Sequence, residues 1–130
     1  METDRRPLNE RQALRLLAGM TVGRVVYTVG ALPAVLPVLF RLDGEGAVLL
    51  SARAGSPFVQ AVDDAVVGFE TGEVSDTDGS GWSVTVVGRA NVLPDPEQVS
   101  ADGATARPDQ VLVRIPPELV TGRRLDPVSG

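Results

Sequence analysis

Hydrophobic positions along this chain recur mostly at every second residue, a spacing that predicts strands over much of its length. The densest run lies between Leu32 and Phe58, LPAVLPVLFRLDGEGAVLLSARAGSPF. Ala34 to Leu42 and Ala47 to Ala52 are rich in Val, Leu and Phe and nearly free of charge, which predicts a hairpin with both faces against protein or ligand. Asp43-Gly44-Glu45-Gly46 supplies its turn, with two glycines that tolerate positive φ. Upstream, Gly23 to Val29 sets Val25, Tyr27 and Val29 against Arg24, Val26 and Thr28, a strand with one wetter face. Ala65 to Thr71 predicts a fourth strand, in which Gly68 marks a bulge or a close approach by another group. The cleanest alternation runs from Trp82 to Leu93, and Gln110 to Ile115 completes six strands.

Two short helices interrupt this pattern. Asn9 and Gln12 stand at capping-box spacing, Leu8 is placed to staple onto Ala13, and Ala13, Leu14 and Leu17 fall on one face, so a helix is expected from Glu10 to Ala18. The second follows the central run, where Ser56 suits a helix cap and Pro57 the first helical position. Phe58, Ala61 and Val62 are expected to face inward there. Gly72 to Gly81 and Leu93 to Pro108 read as loops, the latter with a helical turn near Glu97 to Val99. Pro116 to Val120 reads as a short turn or helix leading to Thr121 to Leu125. Residues 1–7 are expected to be a flexible lead, 8–125 one domain and 126–130 a tail. Strands without alternating helices favour a mostly β fold, a six-stranded antiparallel barrel with small flanking helices, over a doubly wound sheet.

Composition narrows the chemistry. At 130 residues the chain can bury about two thirds of its unfolded surface as one domain. There is no Cys and no His, and all 12 basic residues are Arg, with no Lys among them. Thiolate nucleophiles, lysine Schiff bases and histidine general bases are therefore excluded. Catalysis must use carboxylates, Arg, Tyr27, hydroxyls and backbone, or a cofactor that carries its own reactivity. A net charge of −5 with only five aromatic residues (one Trp, one Tyr, three Phe) argues against nucleic acid and fits a small-molecule or protein partner. No signal-peptide pattern and no apolar run long enough to span a bilayer occur, so no membrane association and a soluble cytoplasmic protein are expected.

Candidate chemistry concentrates at the exit of the central run. Arg53 beside the helix start at Ser56 and Pro57 is a seat for a phosphate, or else a solvated charge beside a cap. Asp63-Asp64 and Asp76 to Asp78 lack the regular oxygen spacing of a cation loop and read as solvated acids. Tyr27 reads as strand packing.

The order of VGRVVY, PVLFRLDGEGAVLLSARAGSPF, VVGFET, SGWSVTVVGRANVL and VRIPPELVTGRRL resembles the FMN-binding split-barrel proteins related to pyridoxamine 5′-phosphate oxidase. The similarity covers roughly Leu8 to Leu125, and its most diagnostic pieces are Pro37-Val38 with Asp43-Gly44, Gly81-Trp82-Ser83-Val84 with Gly88-Arg89-Ala90, and Gly122-Arg123-Arg124. The resemblance implies a homodimer with one FMN in each of two clefts between the subunits. It implies a flavin ring along Pro37, Val38, Leu39 and Phe40, and a phosphate held near Ser51, Ala52, Arg53, Ser56 and Pro57. Trp82 and Ser83 are further flavin contacts that it implies, with core or interface packing the alternative for Trp82. Arg123 and Arg124 are solvated or paired, with a reach across the dimer the minority alternative.

Where relatives commonly carry an Arg-Thr pair this chain has Ser51-Ala52, and Pro57 stands where they place a Lys. Arg53, Ser51, Ser56 and the amides beyond Pro57 are the available substitutes. The C-terminal Arg-x-His pair of the oxidase is absent, so oxidation of pyridoxamine phosphate is not expected. The implied function is a flavin-dependent oxidoreductase acting on a small-molecule substrate. The alternatives are a split-barrel dimer that has lost flavin or binds a ligand without turnover, and a deazaflavin or haem in the same cleft.

Overall fold

The computed structural model describes residues 5–94 and 109–127. The turn expected near Glu97 to Val99 lies outside them. Among these residues ten strands and two helices occur in the order β1 (Arg5–Leu8), α1 (Glu10–Ala18), β2 (Val22–Val29), β3 (Leu32–Leu39), β4 (Arg41–Leu42), β5 (Val48–Arg53), α2 (Pro57–Val62), β6 (Val66–Val74), β7 (Gly81–Arg89), β8 (Asn91–Pro94), β9 (Gln110–Ile115) and β10 (Leu119–Leu125). They form a six-stranded sheet, β1-β10-β7-β6-β2-β3, and a four-stranded sheet, β4-β5-β9-β8. Every pairing is antiparallel. No helix among the described residues is long and apolar enough to cross a membrane.

Helix α1 starts where the sequence places it. Gln12 N–H donates to Asn9 Oδ1 at 2.8 Å and Asn9 N–H to Gln12 Oε1 at 3.0 Å, satisfying two donors that the first turn leaves open. Ala13 and Leu17 are fully buried. Helix α2 is capped by Ser56, whose Oγ accepts from Val59 N–H at 3.2 Å. Its buried residues are Val59 and Val62, while Phe58 and Ala61, expected inward, are half-buried and Phe58 packs against the core. The Phe58 ring lies edge-on to Tyr27 at 5.1 Å between ring centroids.

The central run is not a single hairpin. β3 pairs with β2 along all eight of its residues, and only Arg41 and Leu42 pair back onto β5. The chain changes sheets at Phe40, whose N–H donates to Thr21 C=O at 2.9 Å. A second change falls at Ala90, fully buried, which ends β7 and starts β8 where alternation predicts one strand from Trp82 to Leu93. Both residues point inward before and after the break, so the period of two survives the change of partner.

Three other segments differ from expectation. Arg5 to Leu8 pairs with Leu125 to Gly122 as β1, where a flexible lead was expected. Leu119 to Leu125 is strand β10, where the first residues read as a helix or turn; its partner β7 supplies the ladder that a local reading lacks. The β6–β7 connection is shorter than Gly72 to Gly81, because pairing continues to Val74 and Gly81. Gly68 lies in regular register with Val26 and Val87, with no bulge.

The core sits between the sheets and is built from Val25, Phe40, Val48, Leu50, Phe69, Val84, Val86, Val113 and Ile115. Phe40 and Phe69 pack edge to face at 4.6 Å. A Cβ on Gly23 would fall inside the envelope of the Phe69 ring and lie 2.9 Å from Glu70 C=O, so only glycine lets β2 cross there. Thr71, the one buried polar residue described, donates its hydroxyl to Val22 C=O at 2.8 Å.

Candidate functional site

An open groove of about 590 Å³ lies at the seam where β3 gives way to β4, walled on the other side by β5 and the start of α2. Its size falls within the ordinary range of small-molecule sites. Pro37, Val38, Leu39 and Phe40 form one wall. Ser51, Ala52, Arg53 and Ser56 stand on the other. Pro57 follows Ser56 as the first residue of α2 and is outside the lining; it contributes no N–H. Trp82 and Ser83 lie at the start of β7, three strands from β3 in the sheet, and the chain does not bring them to this groove. Trp82 lines a separate recess with Leu16, Arg124 and Leu125.

Edge strand β3 gives the first wall its chemistry. Phe40 N–H points to β2, so the even-numbered residues of β3 exchange bonds with β2 and the odd-numbered ones turn their backbone groups outward. Pro33 and Pro37 fall at outward positions, where a missing N–H breaks no ladder bond. The Leu39 amide therefore faces away from β2 on the groove side. Across the groove, Ser56 Oγ spends acceptor capacity on Val59 and keeps its own O–H to donate. Arg53 Nε lies 3.5 Å from Asp109 Oδ2, with both side chains more than half exposed (77% and 54%). Such a pair is weak and leaves the guanidinium available to an anion.

Sequence reasoning missed Arg41, Phe58 and Gln110, which also line the groove. Arg41 carried a signal: it is the one basic residue inside the apolar run from Ala34 to Ala52. Among the described residues no carboxylate lines the groove, and Asp109 stands at its rim beside Arg53. In a chain of net charge −5 the groove's described lining carries two arginines, Arg41 and Arg53. Among the described residues no His, Cys, Asp and Glu group could hold a metal. Asp78 in the β6–β7 loop takes bonds from the Ser80 hydroxyl (2.7 Å) and amide (2.9 Å), which hold its carboxyl below the ordinary range.

The turn beneath the groove is locked electrostatically. Arg114 Nε on β9 donates to Asp43 Oδ2 at 2.8 Å, and Asp43 Oδ1 accepts from the amides of Glu45 and Ala47, each at 2.9 Å. Gly46 takes positive φ (81°) to close the turn, while Gly44 does not. The hydrogen bond from Arg114 is the main cause of an Asp43 pKa below the ordinary 3.8; burial opposes it and the two amides add to it. In acid below pH 3.8 the unfolded chain holds more protons at this site than the folded one. This contribution to stability is therefore complete above that value and is lost as pH falls through the folded pKa. Denaturant unfolding at pH 7 and at pH 3 should show a smaller acid loss in Asp43→Asn than in the natural chain; equal losses would remove Asp43 as the cause.

Two antiparallel sheets that exchange strands at buried seam residues, with a ligand-sized groove at one seam, define a split β-barrel. The chain belongs to the pyridoxamine 5′-phosphate oxidase family, whose model matches residues 9–124. It is 39% identical over 128 residues to an uncharacterized protein of Mycobacterium tuberculosis, Rv0080, covering 91% of this chain and 84% of that protein. The FAD binding protein from Mycobacterium smegmatis is 28% identical with a TM-score of 0.73, covering 95% of this chain and all of that one. A FAD-binding protein from Mesorhizobium loti shares the fold at 22% identity and a TM-score of 0.73, covering 96% of this chain and 99% of that one.

Proposed function

We propose that this protein is a homodimeric flavin-dependent oxidoreductase that binds FMN in the seam groove. The observation that carries this is the groove's makeup: apolar walls, an outward backbone amide, two guanidiniums, two hydroxyls and, among the described residues, no carboxylate in the lining. A flavin nucleotide needs that set, a flat slot for its ring, donors at the ring's polar edge and cations for its phosphate. Bound flavin would supply two-electron chemistry between a reductant, such as a nicotinamide, and a small acceptor. The chain's own residues bind and orient: the β3 edge aligns the ring, and Ser51, Arg53 and Ser56 hold the phosphate. The two similar proteins described as FAD binding support a flavin and make FAD the second reading.

Dimerisation is supported by the outer face of the six-stranded sheet. Val22, Val26, Val35, Leu39, Val66 and Leu119 all stand there, each between 42% and 73% exposed. Gly68 leaves a shallow dip between Val26 and Val87. The Arg24–Glu70 ion pair stands among these side chains on the same face, and exposed apolar side chains grouped around a paired charge suit a protein interface. Pro37 and Leu39 belong both to this face and to the groove, so a second copy seated here also walls the flavin site.

Titration with FMN and with FAD tests the function. One FMN per chain with quenched fluorescence is expected, and Arg53→Ala should weaken it about tenfold through loss of a charge-assisted hydrogen bond. Preferential uptake of FAD would select the second reading, and uptake of neither would overturn the proposal. Unchanged FMN affinity in Arg53→Ala would take Arg53 out of the phosphate site.

A further inference from the structure

Gly68 has no explanation inside its own chain. It lies mid-strand in β6 without a positive φ, and a Cβ added there would come no closer than 3.6 Å, to Val26 Cβ, an ordinary contact. Gly23 and Gly72 differ, since a Cβ on the first would enter the Phe69 ring and one on the second would meet Trp82 C=O. A glycine inside a strand costs entropy and gives up packing, so one that the fold does not need marks a close approach from outside. Gly68 opens onto the outer face of the six-stranded sheet beside Val26, and the next outward pair along the same two strands is Arg24 and Glu70. On that face β2 presents Val22, Arg24 and Val26, and β6 presents Gly72, Glu70 and Gly68. One strand is a ridge with a cation at its middle, and the other a trough with an anion at its middle.

We infer that the chain recognises a second copy of itself by seating each β2 ridge in the partner's β6 trough, with the two-fold axis running along the strands between β2 and β6. The inference rests on the dimer reading above. Facing sheets keep their strands within about 30° of alignment, which a two-fold axis in the interface achieves by running along the strands or across them. An axis across them, on the line from Arg24 to Glu70, would set each charge against its own copy. An axis along them sets Arg24 over the partner's Glu70 and Val26 over the partner's Gly68, each contact occurring twice. Arg24 Nη1 donates to Glu70 Oε1 at 3.2 Å, and among the described residues neither side chain makes another hydrogen bond. Covering this pair requires partners for the other guanidinium N–H groups and for Glu70 Oε2. The crossed arrangement supplies both.

The test is sedimentation of the full chain across a concentration series, with circular dichroism to establish that each variant is folded. Arg24→Glu and Glu70→Arg should each raise the dimer dissociation constant more than about 100-fold, because each sets two like-charged pairs face to face. Mixed in equal amounts, the two variants should form a heterodimer with an affinity near that of the natural chain, since both crossed contacts then join opposite charges. Misfolded chains could not do this. Gly68→Val should raise the constant at least about 30-fold by filling the trough twice. If that variant does not fold, Gly68→Ala takes its place, with an expected rise of about tenfold. A natural constant in Arg24→Glu, a mixture that stays monomeric, or a dimer indifferent to substitution at Gly68 would each overturn the inference while the dimer reading stands. A natural chain that is monomeric at every concentration would sink that reading and the inference with it.

Discussion

Replacing Phe69 with alanine lowers the unfolding free energy by about 3–5 kcal/mol, the ordinary cost of emptying a fully buried aromatic position. Its ring is fully buried, packs edge-on against Phe40 and fills the space that Gly23 leaves open on β2. Removing it takes the support from three elements at once. Phe40 is both its ring partner and part of the groove wall, so flavin affinity should fall together with stability. Urea unfolding at fixed protein concentration measures the first effect and FMN titration of the folded variant the second. A stability loss under 1 kcal/mol would mean that the surrounding side chains collapse into the space and that the ring does not organise the seam. Phe69→Leu, which keeps most of the volume, should lose less on both measures.

Val26→Glu should convert the protein to a monomer. Val26 stands at the centre of the exposed apolar face, opposite Val35 on β3 and Gly68 on β6. In a two-fold interface each copy presents the same patch, so one substitution introduces two carboxylates. Burying an unpaired carboxylate costs several kcal/mol, enough to shift a dimer's dissociation constant more than 100-fold. In the free chain the same side chain lies in water and leaves the fold intact, since Val26 is already 42% exposed. Sedimentation or light scattering across a concentration series decides the matter. A variant that still dimerises, or a natural chain that is monomeric throughout, would remove this face as the interface. FMN uptake should weaken in the monomer, because Pro37 and Leu39 join the face to the groove.

The local devices of this fold were legible in the sequence because each is complete within a few residues. The Asn9–Gln12 capping box, the Ser56 cap with Pro57 after it, and the alternation of Trp82 to Arg89 depend only on near neighbours. The changes of sheet at Phe40 and Ala90 carry no Gly or Pro and do not break the period of two, so nothing local marks them. β10 was obscured for a related reason: Pro116 and Pro117 suggest a turn, and the ladder with β7 that makes Leu119 to Leu125 a strand involves residues more than thirty positions away.

The candidate site was legible in the same proportion. Ser51, Arg53 and Ser56 share a stretch of six residues, and Pro37 to Phe40 was marked by the order of motifs. Arg41 and Gln110 reach the groove through pairing of β4 and β9 onto β5, which no local pattern reports. Trp82 and Ser83 came from resemblance, and within one chain their strand lies away from the groove.

The prolines of β3 bear on what can join that edge. A foreign strand zips onto a sheet by finding a donor at every second residue, and here two successive donors are separated by a blank at Pro37, with another blank at Pro33. Extended chains are thereby refused and fibre-like growth from this border is blocked. A flat heterocycle asks for only one or two hydrogen bonds at a single place. The same border that turns away polypeptide is thus left open to a ring.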